Sequence, residues 1–277
     1  MRLVKLAPIL EKENNQIYIL GLEKAKELEN SSNMRICRNL EQVLENAEIV
    51  ISSIPFTRDG ITINMPLSGN KIKINEFMNL MKDKTLIAGT ISNNIYEKYK
   101  DVEIIDIMKN EKLAILNTIA TAEGAIKEII ENTQVNVHGS KIMILGFGRV
   151  GKTLAKKLDG LSAKITVVSK EEEELAWAEV YGYTNMQLNK IEDVIKDYDV
   201  IVNTIPHIIL QGDILQKINK NTLLLDLASG EGGINKEKAQ ENKINLIKAL
   251  GIPGKISPVT TAKILKETIY EILEEKK

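Results

Sequence analysis

Short apolar runs punctuate this chain at regular intervals. In the first half they fall at Ile17 to Leu20, Ile49 to Ser52, Thr85 to Ala88 and Val102 to Ile107. In the second half they fall at Lys141 to Leu145, Lys164 to Ser169, Val200 to Thr204, Thr222 to Ala228 and Ile244 to Ile247. Polar stretches with helical periodicity separate them. Strands that alternate with helices form a parallel sheet flanked by helices, so the pattern predicts an α/β protein. Between the halves, Thr121 to Asn132 reads as a helix that carries the chain from one unit to the next. The last helix is predicted over Thr260 to Leu273, with Ala262, Leu265, Ile269 and Ile272 on one stripe that can pack back against the first unit. The opening is unusual. Residues 3 to 12 read as helix or coil, and the first strand is Ile17, although a doubly wound lobe ordinarily opens on a strand. A strand is therefore expected to be missing at the edge of the first lobe.

The run Lys141 to Leu145 leads straight into Gly146-Phe147-Gly148-Arg149-Val150-Gly151. An amphipathic stretch follows, with Val150, Leu154, Leu158 and Leu161 near helical spacing. Strand, glycine turn and helix are the context in which G-x-G-x-x-G binds a dinucleotide. Gly146 permits the tight turn, Gly148 lets backbone approach a pyrophosphate, and Gly151 lets the helix lie close on the strand. The helix start at Arg149 and Val150 then favours the phosphate charge. A glycine turn that binds nothing accounts less well for all three placements. The expected fold is two doubly wound parallel-sheet lobes, the second a Rossmann dinucleotide-binding domain. The expected division is residues 1–120 for an N-terminal substrate domain and 121–257 for the nucleotide domain with its linker helix. Residues 258–277 form a C-terminal helix.

A length of 277 residues agrees with two domains. The chain is 43% hydrophobic and 27% charged, with a formal net charge of −1, so no basic excess points to nucleic acid or an anionic membrane. No stretch reaches the ~18 apolar residues of a transmembrane helix, and the N-terminus lacks the apolar core of a signal peptide. A single cysteine, Cys37, excludes an internal disulfide framework and a C-x-x-C metal site. Two histidines, His138 and His207, are too few for a histidine-rich metal centre, so no metal is expected. A reducing cytoplasm is the simplest compartment.

The second strand of a dinucleotide fold usually ends in an acid that binds the adenosine ribose 2′-hydroxyl. Here the strand ends in Ser169-Lys170. A hydroxyl and an ammonium can hold a 2′-phosphate that an acid would repel, which points to NADP(H), with NAD(H) as the other possibility. Ser169 also reads as a helix cap, with Glu172 completing a capping box, and the acids Glu171 to Glu174 work against a phosphate. Asn203, Thr204, Ile205 and Pro206 end the next strand of that lobe. The segment Asp226 to Gly233, including Ala228 and Ser229, ends the one after. Open α/β sheets bind ligands beyond their strand ends, although a strand-stopping proline and a mobile turn are the structural readings of the same residues.

Glu123 is the best catalytic candidate. Ile119, Glu123, Ile126 and Ile130 fall at helical spacing, so a carboxylate lies on an otherwise apolar stripe. Burial there would raise its pKa and suit it to proton transfer. It reads equally as a first-turn glutamate favoured by the helix dipole. Asn117, Thr118 and Thr121 lie just before it, placed to cap the helix or bind substrate. In the first unit, Ser53, Arg58, Thr90 and Ser92 follow strands and are the substrate-binding candidates. Arg58 can clamp a carboxylate bidentately, though a loop arginine is more often simply solvated.

Several segments taken in order resemble one family, the A subunit of dipicolinate synthase from endospore-forming bacteria. They are Asn117 to Gly124 (NTIATAEG), His138-Gly139-Ser140, GFGRVG, NTIP, LDLAS, and Leu250 to Pro258 (LGIPGKISP). The resemblance spans nearly the whole chain and departs at the N-terminus, where the family's opening strand is not evident. It implies NAD(P)-dependent oxidation of a dihydrodipicolinate-type lysine-pathway intermediate to dipicolinate, in the mother cell of a sporulating bacterium. It also implies an oligomeric assembly and a flavoprotein-like B subunit. On that reading hydride passes to the nicotinamide and a proton is lost as the ring becomes aromatic, without a metal. The two substrate carboxylates call for donors such as Arg58, Ser53, Thr90, Ser92 or Asn117. The D-2-hydroxyacid dehydrogenases share the two-domain layout but use an arginine after the fifth-strand turn and a histidine before the last helix. Ala228-Ser229-Gly230 and Pro253-Gly254-Lys255-Ile256 stand at those places, so that activity is not expected. The other functional class open to this sequence is a nucleotide-binding regulatory subunit whose partner performs the chemistry.

Overall fold

The structure, a computed structural model, describes residues 1–230 and 232–276. The chain divides into two compact units, Ile115–Ile256 and a unit made of Met1–Ala114 with the chain from Ser257 onward. In order, the elements are α1 (Arg2–Glu11), β1 (Ile17–Ile19), β2 (Met34–Ile36), α2 (Leu40–Leu44), β3 (Ile49–Ile51), α3 (Ile74–Asn79), β4 (Thr85–Ala88), α4 (Asn93–Lys98) and β5 (Glu103–Asp106). They continue with α5 (Glu111–Asn132), β6 (Lys141–Leu145), α6 (Arg149–Gly160), β7 (Lys164–Ser169), α7 (Glu172–Val180), β8 (Thr184–Gln187), β9 (Val200–Asn203) and β10 (Leu223–Asp226). The chain ends with α8 (Lys236–Glu241), β11 (Asn245–Lys248), α9 (Ile252–Ile256) and α10 (Pro258–Glu274).

In the unit that holds the N-terminus, β1 pairs with β2, and β3, β4 and β5 form a second sheet in that order; all pairings are parallel. Leu86 and Ala88 of β4 pack with Phe56, Phe77, Met78 and Met81 in one core. Ile87, between them, points the other way and packs with Leu6 and Leu10 of α1 and Ala262, Leu265 and Ile269 of α10. The predicted stripe on the last helix is thus the face that α1 covers. Pro258 opens α10 at a position where a missing N–H is harmless.

The second unit carries a six-stranded parallel sheet in the order β8-β7-β6-β9-β10-β11. Alternate residues serve opposite faces. Ile142, Ile144, Val167, Val200, Val202, Leu223 and Leu225 pack with α5 and α6, while Met143, Leu145, Val168, Ile201 and Leu224 fill the other side. A sheet covered on both faces needs apolar residues at every strand position, which is why these strands read as unbroken runs. The registers set Leu145 beside Asn203 and Asn203 beside Asp226, so the strand ends are level. The strand order reverses at β6, the position at which such sheets open a ligand crevice.

One boundary differs from expectation. The linker helix starts at Glu111 and not near Thr121, and it is Asn110 that caps it, its Oδ1 accepting from Leu113 N at 2.9 Å. Thr118 and Thr121 lie inside the helix because their hydroxyls donate back to Ile115 O (2.6 Å) and Asn117 O (3.0 Å) instead of capping.

Candidate functional site

The glycine turn is built by two close approaches and one opening. Gly146 follows β6 with φ +88°, a conformation that favours glycine. Thr204, at the end of β9, donates its hydroxyl to Leu145 O at 2.9 Å and Gly146 O at 3.3 Å, clamping the two turns together. Gly151 lies in the first turn of α6 against the Gly146 carbonyl, and a Cβ there would sit 2.2 Å from that oxygen. Gly148 is different. Among the described residues, the one atom within 4 Å of a Cβ built on it is Glu174 Oε1, at 3.8 Å. The first and third glycines hold the turn closed on itself, and the second leaves room beside it. α6 begins at Arg149, immediately beyond that room, and a helix start favours a phosphate. The arrangement fits a dinucleotide pyrophosphate.

The neighbouring strand ends are locked by a buried pair. Asn203 Nδ2 donates to Asp226 Oδ1 at 2.8 Å and to Ile205 O at 3.0 Å, while Asn203 Oδ1 accepts from Ile205 N at 3.1 Å. Asp226 also accepts from Ala228 N at 3.2 Å and Gly233 N at 3.0 Å. Asn203 therefore faces inward and shapes the loops on which Thr204, Ile205, Pro206, Ala228 and Ser229 lie. Among these, Pro206 and Ser229 are exposed, Thr204 and Ile205 half-buried and Ala228 buried. Asp226 opens the segment expected at this strand end, of which the sequence singles out Ala228 and Ser229. Its signal was available, an acid on the last residue of an otherwise apolar strand.

The end of β7 departs from expectation. Ser169 is 2% exposed; its hydroxyl donates to Glu174 Oε2 at 2.6 Å and accepts from Glu171 N at 3.1 Å. Glu174 Oε2 accepts a second bond, from Phe147 N between the first two glycines, at 2.8 Å. Lys170 points to solvent and pairs with Glu171 at 3.5 Å. Ser169 and Lys170 thus do not converge on a common point. Nor does Ser169 form the capping box, since the N-cap of α7 is Glu171 and carries no side-chain cap bond.

Glu123 also requires correction. It sits in the middle of α5, exposed, and its Oε1 accepts from Lys157 Nζ at 2.9 Å. The phase of the helix explains this. The buried positions include Asn117, Thr118, Ala122, Ala125 and Ile129, whereas Ile119 and Ile130 are 42% and 59% exposed. Glu123 is therefore not the buried carboxylate that the spacing predicts. Asn117, by contrast, is 7% exposed, and its Oδ1 is buried without a hydrogen-bond partner. It adjoins Thr118, whose hydroxyl bonds Thr153 of α6 at 2.7 Å. Thr121 is half-buried. Lower on α5, a Cβ on Gly124 would lie 2.2 Å from Ile252 Cγ2, so two of the motif segments, NTIATAEG and LGIPGKISP, meet directly.

The first-unit candidates occupy the carboxyl ends of β3 and β4. Phe56 N donates to Gly89 O at 2.7 Å, tying the two loops. Ser53 donates weakly to Phe56 O at 3.4 Å, and Thr90 and Ser92 are exposed. Thr90 has φ +58°, held by Asp106, whose carboxylate accepts from the backbone N–H groups of Thr90, Ile91 and Met108 at 2.9–3.0 Å. Arg58 is exposed, its Nε donating to Asn64 Oδ1 at 3.3 Å. Among the described residues, no group of three or more His, Cys, Asp or Glu could hold a metal, and no helix is long and apolar enough to cross a membrane.

Comparison with known proteins gives a consistent result. The family model for the N-terminal domain of the dipicolinate synthase A subunit matches residues 1–109. The model for the NAD binding domain of D-isomer specific 2-hydroxyacid dehydrogenases matches residues 112–240. The chain is 27% identical over 272 residues to the dipicolinate synthase A subunit of Bacillus subtilis, covering 96% of this chain and 90% of that protein. The crystal structure of the B. subtilis protein superposes with a TM-score of 0.86 at 25% identity, covering 99% of this chain and 93% of that one. The crystal structure of its Bacillus halodurans counterpart gives 0.87 at 25% identity, covering 98% and 94%.

Proposed function

We propose, from the premise that this chain belongs to the family of dipicolinate synthase A subunits, that it is the dehydrogenase subunit forming dipicolinate. The substrate is a dihydrodipicolinate-type lysine-pathway intermediate, the partner a flavoprotein-like B subunit in an oligomeric assembly, and the setting the mother cell of a sporulating bacterium. The observation that carries the reading is the Gly146–Gly151 turn, closed at its first and third glycines and open at the second. A bound nicotinamide supplies the hydride acceptor.

The chain's own residues bind and orient. The α6 start and Gly148 receive the pyrophosphate, and Thr204 and Asp226 hold the surrounding loops in shape. Asn117 presents a buried acceptor that lacks a donor. Such a group is costly unless a ligand N–H or a water completes it, so it is assigned to ligand orientation, with Thr121 beside it on the helix. Ser53, Arg58, Thr90 and Ser92 supply donors for the substrate carboxylates. Glu123 is exposed and bonded to Lys157, so it is not assigned as the base. Aromatisation makes proton loss favourable, so water suffices as acceptor.

The regulatory reading keeps one specific support. The strand-end acids Asp106 and Asp226 are engaged by backbone N–H groups and Glu123 by Lys157, so none of these three carboxylates is poised for proton transfer. Turnover of the isolated full chain with a nicotinamide dinucleotide and the cyclised intermediate decides between the readings. Reduction of the dinucleotide is expected; activity that requires the B subunit in every case would favour the regulatory role. Gly148→Val should abolish dinucleotide binding in calorimetry, and unchanged affinity in a folded variant would overturn the site assignment.

A further inference from the structure

We infer that Glu174 is the anchor for the adenosine ribose and the group that excludes a 2′-phosphate, making this chain selective for NAD(H) over NADP(H). The inference rests on the dinucleotide reading above and deepens it.

The geometry starts from the two hydrogen bonds to Oε2. Phe147 N comes from the glycine turn and Ser169 Oγ from the end of β7. A carboxylate bonded to both is held at the junction of the first βα turn with the tip of the second strand. That junction is where this fold receives the adenosine ribose. The usual acid sits on the strand tip itself. Here the tip is Ser169, and the acid arrives from the first turn of α7, five residues later. The serine hydroxyl does not replace the missing acid; it orients one that comes from elsewhere.

Both hydrogen bonds found for Glu174 among the described residues fall on Oε2. Oε1 is the oxygen 3.8 Å from a Cβ built on Gly148, on the open side of the turn. A carboxylate oxygen there can accept from a ribose hydroxyl. It cannot accept from a phosphate, and its charge repels one. The two strand-tip side chains that would welcome a phosphate are otherwise engaged: Ser169 is buried with its hydroxyl bonded, and Lys170 is solvated beside Glu171. The surrounding charge agrees. Lys170 to Glu174 carry one positive and four negative groups, a sum of −3.

Calorimetric titration of the full chain at low salt, with NAD⁺ and NADP⁺ separately, reads this without turnover. The wild type should bind NAD⁺ about 10- to 100-fold more tightly, the range a hydrogen bond to a charged group supports. Glu174→Gln keeps the size of the side chain and removes its charge; it should weaken NAD⁺, strengthen NADP⁺ and narrow the ratio, with melting temperature checked for folding. Equal affinities, or tighter NADP⁺ in the wild type, would overturn the inference while leaving the dinucleotide site intact. Binding of neither nucleotide would overturn both. The wild-type comparison stands even if the variant does not fold.

Discussion

Replacing Gly151 with alanine adds one methyl group at the tightest point of the dinucleotide turn. A Cβ there lies 2.2 Å from the Gly146 oxygen, 3.1 Å from its carbonyl carbon and 3.6 Å from Ile144 Cγ2. Non-bonded contact is comfortable at roughly 3.5 Å, so the oxygen or the helix must move by about 1 Å. Neither moves freely. The Gly146 carbonyl accepts from Thr204 on a turn fixed by buried Leu145, and Ile144 is fully buried. Overpacking of this kind costs about 1–3 kcal/mol, and the better helix propensity of alanine offsets up to ~1 kcal/mol. A net loss of up to ~3 kcal/mol is expected, which at roughly 2–4 °C per kcal/mol lowers Tm by up to about 10 °C. Binding should suffer more, because a displacement of about 1 Å at a positioned site costs on the order of 10²-fold. Gly160→Ala is the control: it lies at the other end of α6 with nothing within 4 Å of a Cβ. Scanning calorimetry and dinucleotide titration of both variants test the argument. If Gly151→Ala melts with the control and binds like wild type, close helix–strand approach is not what this glycine provides.

Four further outcomes are expected. Glu123→Gln should leave turnover within about twofold and stability within ~1 kcal/mol, as for an exposed ion pair; a loss of 10²-fold or more in kcat would restore it as a base. Leu265→Ala empties part of the core shared by α1, β4 and α10, and chemical denaturation should show a loss of about 2–5 kcal/mol, with less than 1 contradicting the packing. Asn117→Leu removes an unsatisfied buried acceptor, so Tm should hold or rise while turnover falls at least tenfold; the reverse pattern would make Asn117 structural. Burial pushes the Cys37 thiol above its ordinary pKa. Its contribution to stability is therefore complete below the unfolded-state value and lost as pH rises through the folded one. Cys37→Ala should remove that alkaline slope in thermal melts, and native protein at neutral pH should react with a thiol reagent far more slowly than unfolded protein; rapid, complete labelling would refute the burial.

Elements whose environment is uniform were legible in the chain. β6 and β7 fall at the predicted residues because a strand covered on both faces must be apolar throughout and stop where glycine or a polar residue begins. The glycine turn was equally plain, since its geometry is set by residues adjacent in sequence. β2 and β8 were not, because a short strand with one buried residue, or none, carries no apolar run. The phase of α5 was decided only by packing. Its large apolar residues Ile119 and Ile130 are left in solvent, while Ala122, Ala125 and Ile129 enter the core under the sheet and Gly124 is where α9 comes closest, with Ile252 against it. The start of α5 followed the same logic, with cap-type residues turned back onto their own helix. Asp106 and Asp226 each end a strand, but the groups they hold, backbone N–H groups for both and the Asn203 side chain for Asp226, are brought to them only by folding. Glu174 and Phe147 are 27 residues apart, and their contact exists because α7 returns to the β6 turn. Spacing along a chain records local geometry; where a side chain meets a partner through space, only the tertiary structure decides which carboxylate faces the ligand.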